Sequence, residues 1–188
     1  MVLSKSAVDN LSPLVVFSHG KESGPNGRKI QALATVAQEE GVQTLSVNYR
    51  EYPLGVTHDH DSPGEADRRV EQLLATPLPA HNHLILVGSS MGGYVSALAA
   101  RRMLVTGMFL LAPALSMPGY FHVPSEVDVP HIAILHGWRD EIIPWEHSAR
   151  WASNVRCAMH LIDGDHRLES ALPAIEPLFR QFLRSFAA

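Results

Sequence analysis

Leu84-Ile85-Leu86-Val87-Gly88-Ser89-Ser90-Met91-Gly92-Gly93-Tyr94 decides how this chain is read. Four apolar residues run into Gly-x-Ser-x-Gly, and a helix-like run follows, Val95-Ser96-Ala97-Leu98-Ala99-Ala100-Arg101. Strand, sharp turn and helix form the context in which such a turn presents a nucleophilic serine. The turn forces the central serine into a strained backbone conformation, and the residues two before and two after must be small because strand and helix nearly collide there. Gly88 and Gly92 flank Ser90 in that way, whereas Ser89 would have Val87 and Met91 at those places. Ser90 is therefore the expected nucleophile, at the mouth of a sheet and at the positive end of a helix dipole.

Working outward, the chain reads as alternating β-rich and amphipathic runs, the pattern of a parallel sheet with covering helices. Strands are expected at Leu14–Ser18, Thr44–Asn48, Leu84–Val87, Met108–Leu111, His131–Leu135 and Cys157–Ile162. Helices are expected from about Arg28 to Glu40, with Gly41 as its stop, and from Glu65 to about Ala75. Ser62-Pro63-Gly64-Glu65 reads as the cap of the second, with proline in its first turn. Further helices follow the Ser90 turn, span roughly Trp145–Ser153, and run from about Ser170 to Phe186 with a bend at Pro177. Residues 114–130 read as an irregular excursion. The expected fold is a three-layer α/β/α sandwich on a mostly parallel six-stranded sheet, one domain over 1–188 with its core at about 13–186. Active sites in such sheets form at the carboxyl ends of the strands.

The composition sets bounds. The 188 residues carry a net charge of −4, with 46% hydrophobic and 18% charged residues. That is ordinary globular composition. No basic run is present, so nucleic acid and anionic membrane are poor partners. Met1–Asn10 has no apolar leader core, and no run approaches the roughly 18 apolar residues of a membrane span. The single Cys157 has no internal disulfide partner. A cytoplasmic protein is expected.

Acyl transfer through serine needs a nucleophile, a base, a carboxylate that orients the base, and N–H donors for the oxyanion. Ser90 follows the third expected strand, Asp140 the fifth and His166 the sixth. The order Ser, Asp, His is that of the α/β-hydrolases. With His19-Gly20 after the first strand, Gly88-Ser89-Ser90-Met91-Gly92, His136-Gly137-x-x-Asp140 and Gly164-Asp165-His166, residues 13 to 186 resemble a small, lid-poor α/β-hydrolase, similar to compact bacterial esterases of the YqiA-like kind. The first two strands of the full family sheet have no counterpart before Leu14, and the lid is reduced to the 114–130 excursion.

The resemblance implies Ser90 as nucleophile, His166 as base and Asp140 as the orienting acid. It implies an oxyanion hole from the backbone N–H groups of Met91 and of Lys21, the residue after His19-Gly20. Glu141 is the rival acid. His19 and His136 precede glycine at strand ends and are expected to brace loops. Asp163 and Asp165 are tethered too close to His166 in sequence to face its Nδ1. Tyr120, Phe121 and Trp138 are candidates to line an acyl pocket, and Trp145 and Trp151 are expected to pack.

Two other signals carry less. Gly20-Lys21 is no Walker loop, because Glu22 stands where Ser or Thr is needed and Val15 where glycine is needed. His58-Asp59-His60-Asp61 has metal-ligand residue types without a third ligand group. It reads as a solvated loop. The expected activity is hydrolysis of a small ester or thioester, with no metal or organic cofactor. The rival readings are a non-catalytic or signalling protein on a hydrolase scaffold, and a triad enzyme acting on peptide or C–C bonds. Composition leaves the oligomeric state open.

Overall fold

The computed structural model describes residues 11–51, 61–120, 123 and 125–186. In chain order the elements are β1 (Leu14–Ser18), α1 (Arg28–Glu39), β2 (Gln43–Val47), α2 (Glu65–Ala75), β3 (Leu84–Ser89), α3 (Met91–Ala99), β4 (Gly107–Leu111), β5 (His131–Gly137), α4 (Trp145–Val155), β6 (Ala158–Ile162) and α5 (Leu172–Arg184). The six strands form one sheet in the order β2-β1-β3-β4-β5-β6, and every pairing is parallel. The expected mostly parallel sheet is thus wholly parallel.

Side chains alternate across a strand, so each strand feeds both faces. Leu14, Val16, Leu84, Leu86, Met108, Leu110 and Ile134 pack on one face against Val70 and Leu73 of α2, Tyr94 and Val95 of α3, and Trp151 of α4. Val15, Phe17, Ile85, Val87, Phe109, Leu111 and Leu135 pack on the other against Ile30, Leu33 and Val36 of α1 and Ile175, Phe179 and Leu183 of α5. With both faces covered, the central strands read as unbroken apolar runs. All five residues of β1 and all six of β3 are buried.

Helix ends follow local chemistry. Gly41 adopts φ +74, the Val42 N–H donates to the Ala37 carbonyl and the Gly41 N–H to that of Gln38. That pair of bonds is the Schellman stop expected of glycine here. The start of α2 differs from expectation. Gly64, at φ +83, is the N-cap, no side chain caps the helix, and Ser62 contributes its carbonyl to the Glu65 N–H. A left-handed turn enters this helix, and Ser62, two residues before the N-cap, meets the first N–H with its carbonyl and not with its side chain. Glu65 and Asp67 in the first turn complement the helix dipole instead. Pro177 lies inside α5. The described residues between β4 and β5 hold turns and bends but no helix. Phe121 and His58–His60 lie outside the described residues.

The chain runs from β1 out to β2, then returns to β3 on the other side of β1. Adjacent connections diverge at the carboxyl ends of β1 and β3, the crevice in which sheets of this kind hold ligands.

Candidate active site

Ser90 sits in that crevice. It is the N-cap of α3 at φ +55 and ψ −120, a conformation that strains any residue with a Cβ. Three backbone bonds hold it there. Its N–H donates to Leu111, and its carbonyl accepts from Gly93 and Ala114. Glycine is compulsory around it. A Cβ on Gly92 would stand 1.9 Å from the Ser18 carbonyl oxygen, one on Gly88 2.3 Å from the Gly92 oxygen, and one on Gly93 2.5 Å from Pro113 Cβ. Ser89 is buried, whereas Ser90 reaches solvent.

His166 arrives from the loop after β6. Its Nδ1 lies 2.8 Å from Asp140 Oδ2, and its Nε2 lies 3.0 Å from Ser90 Oγ. A carboxylate only accepts, so Nδ1 carries the hydrogen and the bare Nε2 receives the Ser90 hydroxyl. The loop is fixed by a buried Leu168 at φ +56, whose N–H donates to the backbone oxygen and to Oδ1 of Asp165. Asp165 therefore builds the turn, and Asp163 pairs with Arg139 at the surface.

Asp140 is fully covered and accepts four hydrogen bonds. Its Oδ1 takes the N–H groups of Ile142 and Ile143 at 2.9 and 2.8 Å, and its Oδ2 takes His166 and His136, the latter at 3.0 Å. Burial pushes its carboxyl upward, but the bonds from His136, His166 and the Ile143 N–H outweigh it and hold Asp140 well below the usual carboxylate range. Glu141, the rival acid, is exposed.

His136 does more than brace a loop. Its Nε2 faces both Asp140 Oδ2 and the Ile143 carbonyl at 3.0 Å, so that nitrogen is the donor, and Nδ1 takes the hydroxyl of the buried Ser148 at 2.8 Å in the neutral ring. Sequence reading missed the bond from His136 to Asp140. The signal was its four-residue spacing from Asp140. The loops of Asp140 and His166 are locked together, since a Cβ on Gly137 would stand 2.2 Å from the Gly164 oxygen and the Arg139 N–H donates to that same oxygen.

The other expected residues lie as follows. Met91 is the first residue of α3, so its N–H has no carbonyl one turn back within the helix. Gly20 borders Ser90, with its Cβ position 3.3 Å from Ser90 Cβ, and Lys21 follows it with its ammonium paired to Asp61. Tyr120 packs on Tyr94, ring centroids 4.7 Å apart, and the exposed Trp138 meets Trp145 edge-on at 5.4 Å. Two surface clefts, of about 440 and 490 Å³, lie away from the site. One is lined by the starts of β5 and β6 with α5, the other by α1 and α5, and neither includes Ser90, Asp140 or His166. Among the described residues, no group of three or more His, Cys, Asp or Glu side chains could hold a metal ion.

A serine at a strained strand-to-helix turn, hydrogen-bonded through an imidazole to a carboxylate on an all-parallel sheet, agrees with a family model for the alpha/beta hydrolase domain that matches residues 12–172. The chain belongs to the α/β-hydrolase family. Solved members of the fold superpose along nearly its whole length. A protein from Xanthomonas campestris pv. campestris described as a hydrolase of the alpha/beta superfamily is 26% identical with TM-score 0.79, over 93% of this chain and 99% of that one. Est1E from Butyrivibrio proteoclasticus, solved with ferulic acid bound, is 21% identical with TM-score 0.75, over 95% and 92%. Mouse alpha/beta hydrolase domain-containing protein 10 is 21% identical with TM-score 0.72, over 92% and 90%. No curated protein matches the chain. No described helix of this α/β-hydrolase is long and apolar enough to cross a membrane.

Proposed function

We propose that the protein is a serine hydrolase that cleaves a small carboxylic ester or thioester through an acyl-enzyme. One observation carries the reading: the continuous hydrogen bonding from Ser90 Oγ through His166 to Asp140. Ser90 Oγ bonds to the acyl carbon as its proton passes to His166 Nε2. The negative oxygen so formed is met by the backbone N–H groups of Met91 and Lys21. The C–O or C–S bond then breaks and His166 protonates the leaving group. Water, deprotonated by the same nitrogen, releases the acid and restores Ser90. Asp140 holds the tautomer and stabilises the imidazolium without taking the proton. The reaction as written draws on no metal or organic cofactor. Trp138, with Tyr120 and Phe121, supplies the apolar contact to the substrate, and the short 114–130 connection leaves the site open to short acyl chains. The same reading places the protein in the cytoplasm as one domain.

Labelling with a fluorophosphonate and mapping the adduct tests it. The expected result is one adduct on Ser90, retained in S89A and lost in S90A, with hydrolysis of activated esters lost in the same variant. An adduct on Ser89, or turnover that survives in S90A, overturns the assignment.

A further inference from the structure

α2 carries a charged side chain in a place where a charge is costly. Arg69 is completely buried. An ion taken from water costs several kcal/mol unless partners replace its hydration. Its Nε donates to Glu65 Oε1 at 2.6 Å, and its guanidinium lies 5.3 Å from the centroid of the Tyr49 ring. Its two terminal nitrogens also reach one short stretch of backbone. Nη1 reaches the carbonyls of His19 at 3.4 Å and Gly20 at 3.2 Å, and Nη2 reaches that of Lys21 at 3.5 Å. Three consecutive carbonyls of the loop after β1 thus converge on one side chain forty-eight to fifty residues away in sequence.

His19 pulls the same way. The Tyr49 N–H donates to its Nε2 at 3.2 Å, so Nδ1 carries the hydrogen and donates to the Gly20 carbonyl at 2.7 Å. The Gly20 carbonyl therefore accepts from both His19 and Arg69. That carbonyl belongs to the same planar trans peptide unit as the Lys21 N–H, and the two groups point in opposite directions. Fixing one end of the unit aims the other. The unit lies against the nucleophile, because Gly20 has its Cβ position 3.3 Å from Ser90 Cβ and 3.4 Å from the Ser89 oxygen.

We propose that Arg69 is a positioning residue of the oxyanion hole: by holding the carbonyls of His19, Gly20 and Lys21 from behind, it aims the Lys21 N–H toward the oxygen of an acyl group on Ser90. This rests on the reading above, in which Lys21 is the second oxyanion donor. Glu65 is its counter-charge, and its Oε2 is taken by Arg68. The oxyanion donor is therefore preorganised through the interior. Preorganised donors matter because they need no reorientation when charge develops.

The test pairs R69M, which keeps bulk and removes every donor, with R69K, whose single ammonium cannot span three carbonyls. Amide hydrogen exchange reads the loop directly and needs no substrate. In R69M, exchange over residues 19–22 is expected to rise at least about tenfold, while β3 and α3 keep their protection. Activated-ester kinetics then read the consequence. kcat is expected to fall about 10- to 100-fold with KM within about twofold, a share of what losing one oxyanion donor costs outright. A trifluoromethyl ketone, which forms a charged tetrahedral adduct on Ser90, is expected to weaken by the same factor, and R69K to fall between. If R69M does not fold, R69K alone carries both arms. Unchanged exchange over 19–22, or a loosened loop with unchanged kcat and ketone affinity, overturns the proposal. A wild type that turns over no ester and takes no fluorophosphonate overturns the esterase reading instead, and the exchange arm still decides whether Arg69 holds the loop.

Discussion

Asp140 accepts two imidazoles and two backbone N–H groups, so each of its lone-pair sites is used. An amide in its place can accept at one oxygen only and turns an N–H toward a histidine. Asp140→Asn is therefore expected to lower kcat at least about 10²-fold, and Glu141→Gln to stay within about threefold, in steady-state ester hydrolysis near neutral pH. The reverse order would move the acid to Glu141. Stability carries a second signature. A carboxyl held below its ordinary value contributes stability that is complete above the ordinary carboxylate range and is lost as the pH falls through the folded value. The stability gap between wild type and Asp140→Asn is thus expected to shrink from pH 6 to pH 3 in urea titrations. That Ser90, Asp140 and His166 would come together was legible because each follows a strand end in a short motif. His136 was half legible, as a loop brace, because a sequence does not show that two imidazoles share one oxygen. Arg69 was not legible at all. Glu65, Arg68 and Arg69 have the spacing of ordinary helix-surface charges, and only the tertiary fold turns one of them inward.

At the scale of elements, contact between β1, β3 and α3 sets what the Ser90 turn tolerates. Gly92→Ala is expected to lose at least about 3 kcal/mol in urea unfolding or to fail to fold, because the added carbon meets a backbone oxygen that cannot rotate away. Gly41→Ala is the control. Its Cβ meets nothing within 4 Å, and its φ of +74 alone should cost about 1 kcal/mol. Equal losses would show that space at Gly92 is not the constraint. The order and kind of the elements were readable, since buried parallel strands leave unbroken apolar runs and the helices between them keep their own period. Helix starts were less so. Ser62 has the chemistry of a cap, but the left-handed turn at Gly64 decides where α2 begins, and backbone handedness is not written in side-chain type.

Across the whole molecule, α1 and α5 cover one face together, and their far ends are tied by Glu40 to Arg180 and Arg184 and by Glu39 to Arg180. Arg184 and Arg180 hold the Glu40 carboxyl down to about 2. Both arginine side chains reach solvent, so salt screens the pairs. The melting difference between wild type and Glu40→Gln is expected to be present at pH 6, to fade as the pH falls toward 2, and to fade likewise in 1 M salt at pH 6. A difference that ignores both would place the effect in packing. The boundary between β4 and β5 has a different consequence. Ser90, Met91, Lys21 and Arg69 all precede residue 112, and Asp140, His136, Ser148 and His166 all follow residue 130. In the proposed reaction, one half of the chain handles the acyl carbon and its oxygen, and the other handles the proton. A recombination crossover within residues 112–130 would exchange either machinery intact, so the two can diverge under separate selection while Ser90 and His166 still meet across a single 3.0 Å bond.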